Sequence, residues 1–237
     1  MHRPVITRLE KRGALRRAWA GCRGEGWLSN PEREVYAHLQ DARRREAWLF
    51  GRLLSKELIL DTLAAARCPG WAVDPVHIQV LSRDGLGRPT RPRVLLKGRL
   101  QPCSLSLAHS EQTVVVGLSQ DGDMTMGVDL TPIQSPGVGF LDLWFTPRER
   151  AWIWSQSDQA PRWAATLWAV KEAFYKATNR GEGFTPRRIE VRVDPPDGYA
   201  IRCDGARPRG GCLVRVATTG GEVVAAVLVG LRPERTT

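Results

Sequence analysis

Lysine is nearly missing from a chain that is otherwise strongly basic. Of 35 lysine and arginine residues in 237, only Lys11, Lys56, Lys97, Lys171 and Lys176 are lysines. The five cysteines (22, 68, 103, 203 and 212) are scattered and form no CxxC pair. That spacing excludes a recognisable zinc site or disulfide framework and suits a reducing cytoplasm, each thiol read as a small buried hydrophobe. No apolar run approaches the roughly 20 residues needed to span a bilayer. No apolar stretch follows the charged amino terminus either, so neither a membrane span nor a secretory signal is expected.

The balance of charge is +10, and the hydrophobic content of 42% is a globular value. A basic chain points to an anionic partner: nucleic acid, a phosphorylated small molecule or an acidic protein. An arginine-rich composition also arises from GC-rich coding. No basic-aromatic motif of the nucleic-acid-binding kind is present, so nucleic acid is the least supported of the three.

Two of the scarce lysines share one helical stretch, Trp168-Ala-Val-Lys171-Glu172-Ala-Phe174-Tyr-Lys176-Ala177. Trp163, Leu167, Val170, Phe174 and Ala177 fall on a single apolar stripe at helical spacing. Glu172 lies opposite that stripe, flanked by Trp168 and Lys176. Glutamate and lysine one turn apart are ordinarily a surface pair. A tryptophan on the same side argues that this face is covered, and a compact ammonium suits a phosphate.

Upstream, Met124-Thr-Met-Gly127-Val-Asp129-Leu-Thr131 alternates with the period of a strand, Gly127, Asp129 and Thr131 sharing one face. Asp129 reads equally as a metal or ligand position and as an aspartate opening a turn before Pro132. His109, at a strand end, reads either as a structural histidine or as a ligand contact. Arg83 and Arg88 lie in a glycine-rich loop that is either a hairpin connection or a close approach to a ligand. Arg43–Arg45 form a basic cluster, either a solvated helix face or a phosphate contact.

Residues 1–28 lack a period and are expected to be an irregular extension. Ser29-Asn-Pro-Glu32 predicts a helix start, with helix to about Ala66 and a break near 38–41. Cys68-Pro-Gly breaks that helix, Phe145-Thr-Pro-Arg-Glu149 starts another, and Asn179-Arg-Gly181 closes the one after it. The order helix, strand, turn, strand, strand occurs twice. It predicts an α+β protein of two similar α/β halves, 1–130 and 146–237, joined by a connection at 131–145. They would form an intramolecular pseudo-dimer with a ligand cleft between them, uniting Asp129 and Glu172.

Gly127-Val-Asp129 followed by Trp168-x-x-Lys171-Glu172-Ala-x-x-Lys176 resembles the paired motifs of the 4′-phosphopantetheinyl transferases. Gly51-Arg52 with Lys56, Gly87-Arg88-Pro89, Leu107-Ala108-His109-Ser110 and Phe145-Thr-x-x-Glu149 are similar to further segments of that family. The length is similar to its long, pseudo-dimeric, surfactin-synthetase-activating branch. The resemblance implies magnesium-dependent transfer, manganese being a possible substitute, of the phosphopantetheine arm of coenzyme A to a carrier-protein serine. It implies Asp129 and Glu172 as metal ligands, with Glu172 also the base, and Lys176 and Lys171 on the phosphates. His109, Ser110, Arg83 and Arg88 would bind coenzyme A. The implied partner is an acidic acyl or peptidyl carrier protein, the enzyme a cytoplasmic monomer. Thr131 stands where many members carry a second acid, and Ala108 where they carry serine. Those departures motivate an alternative: a carrier-protein or coenzyme A binding module without turnover.

Overall fold

The computed structural model describes residues 5–19, 23–65, 73–179, 183–194 and 198–231, forming two compact units divided between Gly122 and Asp123. The Cys68-Pro-Gly break and the tail from Arg232 lie outside the described residues, as does most of Asn179-Arg-Gly181.

The first unit opens with strand β1 (Val5–Lys11) and short helices α1 (Arg12–Ala18) and α2 (Arg23–Gly26). This corrects the expectation of an irregular extension. β1 pairs antiparallel with β6 (Thr113–Ser119), Lys11 opposite Thr113, so a distant partner holds a strand whose own pattern is unclear. Ser29 caps α3 (Asn30–Ala37) in a reciprocal box with Glu32, and α4 (Ala42–Ala65) follows the predicted break. Strands β2 (Ile78–Arg83), β3 (Pro89–Leu96) and β4 (Arg99–Leu100) form one small sheet. β5 (Ser104–His109) joins the other, in the order β1-β6-β5. Phe50, Leu53, Leu54 and Leu58 of α4 share a core with Leu105, Val114 and Val116 of that sheet.

The second unit runs β7 (Met124–Pro132), α5 (Val138–Trp144), α6 (Pro147–Ser155) and α7 (Ala160–Thr178). The hairpin β8 (Ile189–Asp194) and β9 (Gly198–Cys203) follows, then β10 (Cys212–Thr219) and β11 (Glu222–Gly230). The sheet order β10-β11-β7 repeats that of the first unit strand for strand. β7 pairs with β11 along its whole length, Met124 opposite Gly230 and Pro132 opposite Glu222. The division therefore falls at 122 rather than 130, and Asp129 belongs to the second unit. The expected connection at 131–145 contains the end of β7 and all of α5. Leu167, Val170, Phe174 and Ala177 are buried as their spacing predicts, with Trp163 packed on the same core.

Strand β7 and helix α7 touch backbone to backbone at Gly127. A Cβ there would stand 1.8 Å from the Ala173 carbonyl oxygen and 2.7 Å from the Ala177 nitrogen, main-chain atoms that have no rotamer to escape into. Gly127→Ala is expected to lower stability by about 1–3 kcal/mol. Thermal denaturation reads the loss, and an unchanged midpoint would exclude this close approach.

Each unit is tied by the same buried ion pair. In the first, Lys56 Nζ is 2.7 Å from Glu32 Oε2 and donates to the carbonyls of Trp27 and Pro75. Glu32 also accepts from the backbone N–H groups of Ser29 and Val80. In the second, Lys171 Nζ is 2.7 Å from Glu149 Oε2 and donates to the carbonyls of Trp144 and Pro186. Glu149 accepts from the N–H groups of Thr146 and Val191. In both units the glutamate is the third helical residue of a capping box, so one carboxylate caps its helix, receives the ammonium and holds the following strand.

Candidate functional site

Asp129 lies two residues beyond Gly127 on the strand face that meets α7. Its carboxylate is buried, and both oxygens are engaged. Oδ1 accepts from Lys176 Nζ at 2.7 Å, and Oδ2 accepts from Thr131 Oγ1 at 2.9 Å. The ionic partner of Lys176 is thus Asp129, not Glu172 one turn earlier. Asp129 and Glu172 both line a pocket of about 480 Å³ within the second unit, with Thr131, Phe140, Ala164 and Trp168 among its walls.

Glu172 is left open. Among the described residues no hydrogen bond reaches its carboxylate, and burial pushes its pKa above the ordinary glutamate value. Lys176 opposes that rise and the Asp129 charge adds to it. A carboxyl with a raised pKa and free oxygens is suited to taking a proton. Trp168 owes its place to an aromatic cluster in the same unit: its ring centroid is 5.0 Å from that of Phe140 and 5.6 Å from that of Phe184, both edge-on.

Lys171 does not reach this pocket. Its Nζ is fully buried, and its three protons meet Glu149, Trp144 and Pro186. The expectation that it contacts phosphate is corrected: it is a structural tie, and burial lowers its pKa against the opposing effect of Glu149.

The remaining expected site residues belong to the first unit. Arg83 Nη1 donates to the Gly87 carbonyl and Arg88 Nε to Asp84 Oδ2, so both arginines close the β2–β3 hairpin. His109 is exposed at the end of β5. The Ser110 hydroxyl accepts from the N–H groups of Gln112 and Thr113 and shapes the β5–β6 turn. Sequence reasoning missed Phe140, Gln134, Ala164 and Ala165 as lining residues. The adjacent alanines were visible as small residues in a helix, but nothing local showed which side they face.

A buried aspartate and a half-buried glutamate against one ammonium leave a net negative charge at the site when both acids are ionised. Their donors are hard oxygens, the set magnesium takes. Among the described residues no cluster of three His, Cys, Asp or Glu side chains surrounds a common point. The protein would supply two carboxylates and leave the other positions of the ion to ligand and water.

Residues 125–227, which carry this pocket's strand and helix, match the model of the 4′-phosphopantetheinyl transferase superfamily. The chain is 28% identical over 180 residues to the L-aminoadipate-semialdehyde dehydrogenase-phosphopantetheinyl transferase of Rattus norvegicus, covering 69% of this chain and 52% of the relative. A phosphopantetheinyl transferase from Thraustochytrium is 27% identical over 201 residues, covering 78% and 65%. The chain thus spans about half the length of the mammalian relative. Among solved structures, an acyl carrier protein synthase of Mycobacterium tuberculosis matches at 26% identity with a TM-score of 0.33, covering 45% of this chain and 96% of that one.

Proposed function

We infer that this protein transfers the 4′-phosphopantetheine arm of coenzyme A to a serine of an acyl or peptidyl carrier protein, releasing 3′,5′-ADP. The observation that carries this reading is that Asp129 and Glu172 line one pocket, with Lys176 bonded to Asp129, within the segment that matches the superfamily. The serine oxygen attacks the phosphorus bearing the arm, the pyrophosphate P–O bond breaks, and the serine proton passes to Glu172. Lys176 stabilises negative charge on the phosphates and on the departing nucleotide. Magnesium held by Asp129 and Glu172 would neutralise pyrophosphate charge when bound. We assign Arg83, Arg88, His109 and Ser110, all in the first unit, to coenzyme A binding, and the strand order repeats from one unit to the other. The net charge of +10 favours an acidic carrier. We place the enzyme in the cytoplasm as a monomer; among the described residues no helix is long and apolar enough to cross a membrane.

Incubation with coenzyme A, magnesium and a panel of apo carrier proteins is the test. The carrier should gain the mass of the phosphopantetheine arm. Coenzyme A binding without mass gain on any carrier would replace the enzyme by the binding-module reading.

A further inference from the structure

The contacts of Asp129 raise a question about how a cation could bind beside it. Both oxygens of this carboxylate already accept hydrogen bonds, and one donor carries a full positive charge at 2.7 Å. Glu172 in the same pocket has no such partner. A divalent cation entering the pocket would find one carboxylate open, the other engaged at both oxygens, and an ammonium repelling it.

We propose that Lys176 is the resident counter-ion of Asp129, and that cation and coenzyme A binding are coupled because this ammonium must change partners. The inference rests on the transferase reading of the site. The Lys176 side chain is 30% exposed and sits in the last turn of α7, whereas that of Asp129 is 10% exposed on a paired strand. The lysine is therefore the member free to move. An arriving pyrophosphate offers it a more highly charged acceptor, and its departure releases Asp129 Oδ1. Thr131 keeps its bond to Oδ2 and holds the carboxylate plane while the other oxygen is exchanged. Thr131 is on this account a positioning residue. By linkage, cation and coenzyme A raise each other's affinity by the same factor, and part of that factor belongs to Lys176.

Manganese provides a probe that needs no turnover, since free ion is read directly by electron paramagnetic resonance. Titrated into the full chain without coenzyme A, it should bind Lys176→Met at least tenfold more tightly than wild type. Lys176→Gln should show the same gain, which separates charge removal from an effect of the apolar side chain. Adding Asp129→Asn to Lys176→Met should remove the gain and assign it to this carboxylate. Coenzyme A should tighten manganese by a larger factor in wild type than in Lys176→Met. Equal manganese affinity in wild type and both folded lysine variants would overturn the proposal, as would a gain that survives Asp129→Asn. If wild type binds coenzyme A and modifies a carrier while the lysine variants show no gain, only the coupling falls. If wild type neither binds coenzyme A nor modifies a carrier, the transferase reading falls instead.

Discussion

Glu172→Gln is expected to reduce phosphopantetheine transfer by roughly 100- to 10,000-fold, the range for removing a positioned general base. Glutamine keeps the shape of the side chain and loses both the proton acceptor and one anionic ligand. The thermal midpoint should hold or rise slightly. The folded pKa of Glu172 lies above its unfolded value because burial penalises the charge. The ionised group therefore costs stability, fully at pH above the folded pKa and not at all below the unfolded one. The variant removes that cost near neutrality. The same carboxyl should shape activity: kcat/KM rises with pH as Glu172 ionises, with its midpoint above the ordinary glutamate value. Initial rates of carrier modification across pH, for wild type and variant, check both statements. A variant keeping more than a tenth of the wild-type rate would exclude Glu172 as the base.

Lys171→Met is expected to destabilise the second unit by about 3–5 kcal/mol, because it strands the Glu149 carboxylate in the interior. Glu149 is 2% exposed and Lys171 is fully buried, so water cannot replace the lost partner. The carbonyls of Trp144 and Pro186 lose their donor as well. A fall of roughly ten degrees or more in the thermal midpoint should follow. Adding Glu149→Gln should restore part of the loss, since removing both charges avoids an unpaired one. A shift of only a degree or two in the single variant would show the pair to be dispensable. Any loss of transfer in Lys171→Met should accompany unfolding, in contrast to Glu172→Gln.

Much of the second unit was legible in the chain. The spacing of Trp163, Leu167, Val170, Phe174 and Ala177 marked the core side of α7, and Thr146-Pro-Arg-Glu149 marked the start of α6. The alternation around Asp129 placed Gly127, Asp129 and Thr131 on one strand face. The site was less legible. Lys171 and Lys176 are about 140° apart around one helix at 100° per residue, yet the family resemblance put both of them on the phosphates.

The residues by themselves determined the elements, their caps and their faces, because those depend on propensity and periodicity over a few turns. Only the tertiary structure decided which strand pairs with which, since pairing is a contact between distant segments. The pairing of β7 with β11 moved Asp129 into the same unit as Glu172, and that of β1 with β6 gave order to residues read as irregular. It also separated the two lysines: one meets a buried helix cap and the other an aspartate in an open pocket, a difference that lies in their surroundings and not in the side chain they share.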